Sequence, residues 1–250
     1  MGMLMSVYEL SKIWDIRPNG VLHVGAHEGE EAGAYETYNW LPVIWVEAQP
    51  ELAKKLELRL NRSFHTVIHA AVWDQNGITM KFNVASNSQS SSLLGLGLHA
   101  LDYPDIQYVS EFEVETHRLD ELLRNYSVPS FVNLDIQGAE GMAIKGLGKS
   151  LDKIDAIYTE INKNEVYIGC TLLTELDDVL KGAGFKRVAT RWTLGKGWGD
   201  ALYLRNSVYQ LNVAQKIQNS FFAFNHYWKQ IKSSPKSLIR SVLPTRWPGS

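Results

Sequence analysis

Three carboxylates stand where strand-like runs end or begin: Asp135 after Phe131-Val132-Asn133-Leu134, Glu160 at the close of 154–161, and Asp200 after Gly199, just before 201–205. Carboxylates gathered at neighbouring strand ends have two chemical uses. One of them holds its proton late and serves as a general base while the others orient, or the group binds a hard divalent cation that acidifies a hydroxyl. If a cation is bound, Asp135, Glu160 and Asp200 are its ligands. The metal-free arrangement is the working expectation, because magnesium sites use few protein ligands and leave no readable spacing. His27 is a fourth candidate base, since imidazole titrates near neutrality. An ordinary turn histidine is the alternative there, and for Asp200 the alternative is a turn cap.

A binding crevice for a small cationic cofactor is legible next to these groups. The run Val21-Leu22-His23-Val24-Gly25-Ala26-His27-Glu28-Gly29-Glu30 reads as a strand, a glycine turn and a helix start. Gly25 and Gly29 permit the tight turn and let a ligand press on the backbone. Glu47 ends the next strand, where its carboxylate is placed to accept from both ribose hydroxyls of an adenosine. The expected contact set is Gly25, Ala26, His27, Gly29, Glu30, Glu47, Ala48, Ala71, Val72 and Asp135. A dinucleotide would use a similar turn, but its pyrophosphate needs unopposed N–H groups, and Glu28, Glu30 and Glu31 surround this one with charge. S-adenosylmethionine carries an ammonium and a sulfonium instead, both favoured by carboxylates.

Other candidate residues divide between packing and contact. His23 lies inside an apolar strand and reads as a hydrogen-bonded core residue. His65 and His69 alternate along a strand with no carboxylate or cysteine at ligand spacing, so they read as structural. Trp45 belongs to the core. Trp192 and Trp198 flank Gly195-Lys196-Gly197, where flat faces either stack on a sugar or other ring or anchor the loop.

The elements that must position these groups alternate. Runs rich in β-branched residues at 21–25, 43–47, 66–72, 131–135, 154–161, 185–190 and 201–205 are interleaved with helical stretches at 28–38, 51–58, 118–124, 139–147 and 172–181. That rhythm predicts an α/β domain with a mostly parallel sheet and helices on both faces. Residues 77–116 break it with a strand pair, 78–84 and 111–116, around Ser90-Ser91-Ser92, long enough to form a substrate lid.

The turn Gly25-Ala26-His27-Glu28-Gly29, Val46-Glu47-Ala48, Ala70-Ala71-Val72-Trp73-Asp74, Ser90-Ser91-Ser92-Leu93, Asn133-Leu134-Asp135-Ile136-Gln137-Gly138-Ala139-Glu140, Tyr158-Thr159-Glu160 and Trp198-Gly199-Asp200-Ala201 occur in the order of a known family. From about residue 20 to 205 the chain resembles the FkbM family of S-adenosylmethionine-dependent methyltransferases. The resemblance implies a Rossmann-like class I fold with seven strands, the last antiparallel. It also implies methylation of oxygen, chiefly on hydroxyls of sugars and secondary metabolites. His23 stands where the family usually has Asp, and Gln137 where Glu often follows the Asp of the fourth strand. The competing readings are an NAD(P)-dependent oxidoreductase and a non-catalytic adaptor of the same fold.

Length and composition fit one domain plus an appendage: 250 residues, 45% hydrophobic and 21% charged. The division falls at 1–206 for the catalytic body and 207–250 for a basic tail. After Asp200 there are seven basic residues, Arg205, Lys216, Lys229, Lys232, Lys236, Arg240 and Arg246, and no acidic one. Of the 25 Lys and Arg this leaves 18 against 27 acidic residues, a charge of −9 on residues 1–200. Val213, Ile217, Phe221, Phe224, Trp228 and Ile231 follow helical spacing up to Pro235. The ordinary destination of such a stripe is the domain itself or a twin subunit. With Leu238, Ile239, Val242 and Leu243 and the basic set, an anionic membrane surface is the other. An acidic body without a recognised motif argues against nucleic acid. A lone Cys170 and the lack of a spanning apolar run point to the cytoplasm or its membrane face. The short myristoylation pattern Met1-Gly2-Met3-Leu4-Met5-Ser6 is brief enough to arise by chance.

Overall fold

The computed structural model describes residues 2–209 and 212–234. Helix α1 (Val7–Trp14) precedes β1 (Val21–Val24), α2 (Ala32–Thr37), β2 (Val43–Glu47), α3 (Pro50–Arg59) and β3 (His65–His69). Then come β4 (Ala71–Val72), β5 (Thr79–Ala85), the single turn α4 (His99–Asp102), β6 (Tyr108–His117) and α5 (Leu119–Leu122). The chain continues through β7 (Phe131–Leu134), α6 (Glu140–Gly146), β8 (Ala156–Asn162), α7 (Leu173–Gly182), β9 (Phe185–Trp192), β10 (Trp198–Arg205) and α8 (Val213–Ser233).

Seven strands form one sheet in the order β3-β2-β1-β7-β8-β10-β9. The first five pair in parallel, while β10 runs antiparallel to both β8 and β9. Every residue of β1, β2, β7 and β8 is buried, which explains why these strands read as unbroken apolar runs. Successive side chains leave opposite faces of the pleat. Leu22, Val24, Ile44 and Val46 join a core with Leu119, Ile144, Leu176 and Leu180, whereas Val21, Val43, Trp45 and Phe131 join a second with Leu10, Ile13, Trp14 and Tyr35. Strand order reverses where β7 lies beside β1, so a crevice opens at the carboxyl ends of these strands.

Some elements depart from the sequence expectation. The run 66–72 is two strands: β3 pairs with β2, and β4 leaves the main sheet to pair with β6. Together β4, β6 and β5 make a second, three-stranded sheet that holds the 77–116 insertion beside the crevice. The helix expected from residue 28 starts only at Ala32, so Glu28, Glu30 and Glu31 belong to the glycine turn. Helix α1 has no counterpart in the sequence reading, although Ser6 and Glu9 stand at cap spacing and Ser6 Oγ accepts the Glu9 N–H at 3.2 Å. The tail does form a helix, capped by reciprocal Asn212–Gln215 bonds of 2.9 Å. Its apolar stripe, however, does not pack on the domain, because Val213, Ile217, Phe221, Phe224 and Trp228 are all exposed. Pro235, Leu238, Ile239, Val242, Leu243, Lys236, Arg240 and Arg246 lie outside the described residues.

Candidate active site

The glycine turn is shaped by close backbone approach. Gly25 adopts φ +82°, and a Cβ there would lie 1.8 Å from the carbonyl oxygen of Asp135, so the turn closes directly on the end of β7. Gly25 and Ala26 N–H both donate to Val46 O, at 2.9 and 3.1 Å, fixing the turn against β2. Glu47 is buried at the end of β2, where Oε2 accepts the His27 N–H and Oε1 the Gln49 N–H, each at 2.8 Å. Each carboxylate oxygen therefore keeps capacity for one further donor. Burial raises the Glu47 pKa, opposed by those two backbone bonds. Gly25, Ala26, His27, Glu30, Glu47, Ala48, Ala71, Val72 and Asp135 line one cavity. Gly29 does not. Its φ of +67° and its approach to Leu56 and Arg59 give it a packing role behind the turn.

His27 takes a φ of +46°, its Nδ1 pairing with Glu30 Oε1 and its Nε2 with Ser88 Oγ, both at 2.8 Å. The hydrogen bond that the ring donates to Glu30 raises the imidazole pKa, and Glu30 falls to about 2 in return. With both ring nitrogens engaged, His27 is a clamp joining the turn to the insertion rather than a free base. His23 is buried and stacks on Trp45 with centroids 4.8 Å apart, its Nδ1 hydrogen-bonded to Tyr35 Oη at 3.2 Å. Burial lowers it to about 4, so a neutral ring forms part of the cavity wall. His65 is structural, taking the Trp45 indole N–H on Nδ1 at 3.1 Å; His69 meets the Ala48 carbonyl.

Asp135, Glu160 and Asp200 reach the same cavity, but not as an equivalent triad. Gln137, at φ +55°, donates from Nε2 to Asp135 Oδ1 at 2.5 Å and to Glu160 Oε2 at 3.0 Å. Its Oε1 accepts the Tyr167 hydroxyl at 2.5 Å. Asp200 faces Glu160 across the β8–β10 ladder, in strand rather than turn conformation. Its Oδ2 accepts the Leu4 N–H at 2.8 Å and a close bond from the Tyr158 hydroxyl. Burial pushes Glu160 well above the usual carboxylate range, raises Asp135, and lifts Asp200 to about 7. A cation-binding arrangement does not fit this donor set. The Gln137 amide protons occupy the space between two of the carboxylates and Asp200 is turned to Tyr158; among the described residues no three acidic, His or Cys groups are disposed to hold a metal.

Opposite the glycine turn, the cavity wall is aromatic. The Trp198 indole N–H donates to Tyr103 Oη at 3.1 Å, and Lys196 Nζ sits 4.4 Å from the Tyr103 ring centre. His99 lies between Tyr103 and Tyr167, with centroids 5.0 and 5.2 Å away, and its buried Nδ1 has no partner among the described residues. Trp192 is not part of this wall; it lies under Lys163 and carries α8. The sequence reading gives no role to His99, Tyr103, Tyr158 or Tyr167. Three of them sit outside any recognisable spacing, and only Tyr158, two residues before Glu160 on the same strand face, had a usable signal.

The Methyltransferase FkbM domain model matches residues 23–187, from the second half of β1 through the glycine turn to the start of β9. The chain belongs to the FkbM methyltransferase family. The family is one of methyltransferases, whose expected donor is S-adenosylmethionine, and the oxidoreductase reading falls away. The crevice suits that donor: a buried Glu47 carboxylate with capacity for further hydrogen-bond donors, a turn without a side chain at Gly25, and buried acidic groups for a cationic ligand. Over 84 residues this FkbM protein is 33% identical to the 2-O-methyltransferase NoeI of Sinorhizobium fredii, a match covering 33% of this chain and about a third (35%) of that protein. Among solved structures, M. capricolum TrmK bound to S-adenosylhomocysteine is similar at TM-score 0.44 and 10% identity, covering 94% of this chain and 91% of that one. The CcbJ methyltransferase of Streptomyces caelestis is similar at TM-score 0.44 and 9% identity, with 80% and 87% covered.

Proposed function

We propose that this FkbM methyltransferase methylates a hydroxyl oxygen on a saccharide or a related hydroxylated small molecule. The observation that carries the reading is the β10 face, which presents Trp198 and, two residues on, Asp200 to one cavity. An aromatic surface stacks on a sugar ring, and a carboxylate near pH 7 takes a proton from its hydroxyl. The partial likeness to a protein named as a 2-O-methyltransferase supports oxygen as the nucleophile.

S-adenosylmethionine, when bound, supplies a methyl carbon made electrophilic by its sulfonium. Glu47 would hold the ribose hydroxyls, and Gly25, Ala26 and Asp135 would flank the methionine end. Tyr158 donates to Asp200 Oδ2 and so fixes the base, which accepts the acceptor hydroxyl proton. Burial raises the Glu160 pKa and so favours its protonated form, limiting the negative charge that the pocket must bear. His99 offers its unpartnered Nδ1 to a second hydroxyl of the acceptor. Collinear placement of the nucleophile supplies much of the rate and proton removal roughly 10²–10⁴-fold.

Incubation with methyl-labelled S-adenosylmethionine and a panel of nucleotide sugars and oligosaccharides tests this. Label should appear as an O-methyl ether and persist in the presence of a chelator. Label recovered only on nitrogen or carbon would overturn the oxygen assignment, and label on hydroxylated acceptors that vanishes with chelator would overturn the metal-free base.

A further inference from the structure

Helix α8 is amphipathic the wrong way round for a helix that serves only its own domain. Its inner face is mostly polar: Asn219 receives Arg191 Nη2 at 2.8 Å, Tyr227 Oη accepts the Trp192 N–H at 3.2 Å, and Gln230 Oε1 accepts the Leu194 N–H at 2.6 Å. Apart from Phe222, which packs inward beside Tyr8, its large apolar residues project mainly to the other side. Val213, Ile217, Phe221, Phe224 and Trp228 are 71, 65, 63, 64 and 48% exposed, aligned at spacings of four, four, three and four. A continuous outward row of large apolar side chains marks a binding surface, because solvent alone disfavours it.

We propose that this face of α8 lies on the surface of an anionic phospholipid bilayer. Charge selects that occupant. Lys216, Lys229 and Lys232 are on the helix, Lys236, Arg240 and Arg246 follow it in sequence, and no acidic residue occurs after Asp200. An isologous pair of such helices would set basic side chains against basic side chains, whereas anionic headgroups complement them. The acidic body, at −9, is repelled by the same surface, which orients the molecule tail-down. Lys232 Nζ lies 5.3 Å from the Trp228 ring centre, and Phe224 stacks on Trp228, an arrangement of flat rings beneath a cation suited to the headgroup boundary. No helix among the described residues is long and apolar enough to cross a membrane, so α8 lies in the interface plane.

Flotation of the full chain with phosphatidylcholine vesicles, with and without phosphatidylglycerol, tests the proposal. Binding is expected to the mixed vesicles, weaker at high salt and at least about tenfold weaker to phosphatidylcholine alone. Phe224→Ser/Trp228→Ser should abolish it, and Lys229→Gln/Lys232→Gln should weaken it roughly 30-fold. Both variants should keep wild-type affinity for S-adenosylmethionine, which confirms folding separately from docking. No flotation with anionic vesicles, equal flotation with both kinds, or a dimer in sedimentation velocity that Phe224→Ser/Trp228→Ser dissolves would each overturn it.

Discussion

Glu47 has two duties, since the carboxylate that is to hold the ribose also terminates the N–H groups of His27 and Gln49. Glu47→Ala is therefore expected to lower affinity for S-adenosylmethionine by roughly 10- to 100-fold, as charge-assisted hydrogen bonds are worth about 1.5–3 kcal/mol. Titration calorimetry checks this, and an unchanged affinity would remove the adenosine from this crevice. Asp200, the proposed base, sets the expected pH profile. With its pKa raised to about 7 by burial, kcat/KM should climb as pH rises through 7, because only the ionised form accepts a proton. Asp200→Asn should flatten that climb. Tyr158→Phe should move it to higher pH, since the hydroxyl donates to the ionised carboxylate. A profile indifferent to both substitutions would make Asp200 structural. His99→Ala should raise KM for the acceptor and leave cofactor affinity unchanged.

Three elements meet at Arg191, a fully buried guanidinium on β9. Its Nη2 bonds Glu9 of α1 and Asn219 of α8, while its Nε is unpartnered among the described residues. Burial raises the Glu9 pKa despite the pairing, so desolvation outweighs the attraction of Arg191 there. Truncating one member of a buried ion pair leaves the other uncompensated, at a cost of about 3–5 kcal/mol. Glu9→Ala should lower Tm accordingly and speed hydrogen exchange in α8; loss of stability without faster exchange in α8 would show that the helix is held elsewhere. This junction was not legible in the sequence, because nothing in Glu9 or Arg191 alone indicates a partner 182 positions away. What was legible rests on local signals: doubly buried strands read as apolar runs, and Glu47 and Asp135 sit at their ends. The break at Ala70 inside 66–72 was hidden, since an Ala-Val continuation looks the same whether it pairs with β2 or with β6. The aromatic wall was legible only in Trp198 beside its glycines: His99 and Tyr103 come from the insertion and Tyr167 from the loop after β8, and no local signal shows that they meet.

Buried acidity shapes the behaviour of the whole protein. Glu140 and Asp200 are raised to about 7, Glu160 well beyond its usual range, and Asp135 and Glu47 upward, in each case chiefly by burial. Groups that bind protons more tightly folded than unfolded favour the native state fully below about pH 4, and that contribution is lost as pH rises through about 7. The ligand-free protein should accordingly melt at lower temperature at pH 8 than at pH 5.5, and Glu160→Gln should shrink the difference. Tm rising over that interval would contradict the protonation pattern. A cationic ligand favours the ionised carboxylates, so calorimetry of S-adenosylmethionine binding near pH 7 should show protons released, with heats that depend on the buffer.

Trp198 gives this enzyme a built-in optical reporter. Its indole is in the cavity wall and hydrogen-bonded to Tyr103, while Trp14, Trp40 and Trp45 are sealed in the core and supply a steady background. Among the described tryptophans Trp198 alone lines the cavity, so an acceptor ring that stacks there changes its surroundings, fluorescence titration should follow acceptor occupancy without any label, and Trp198→Phe should silence the response.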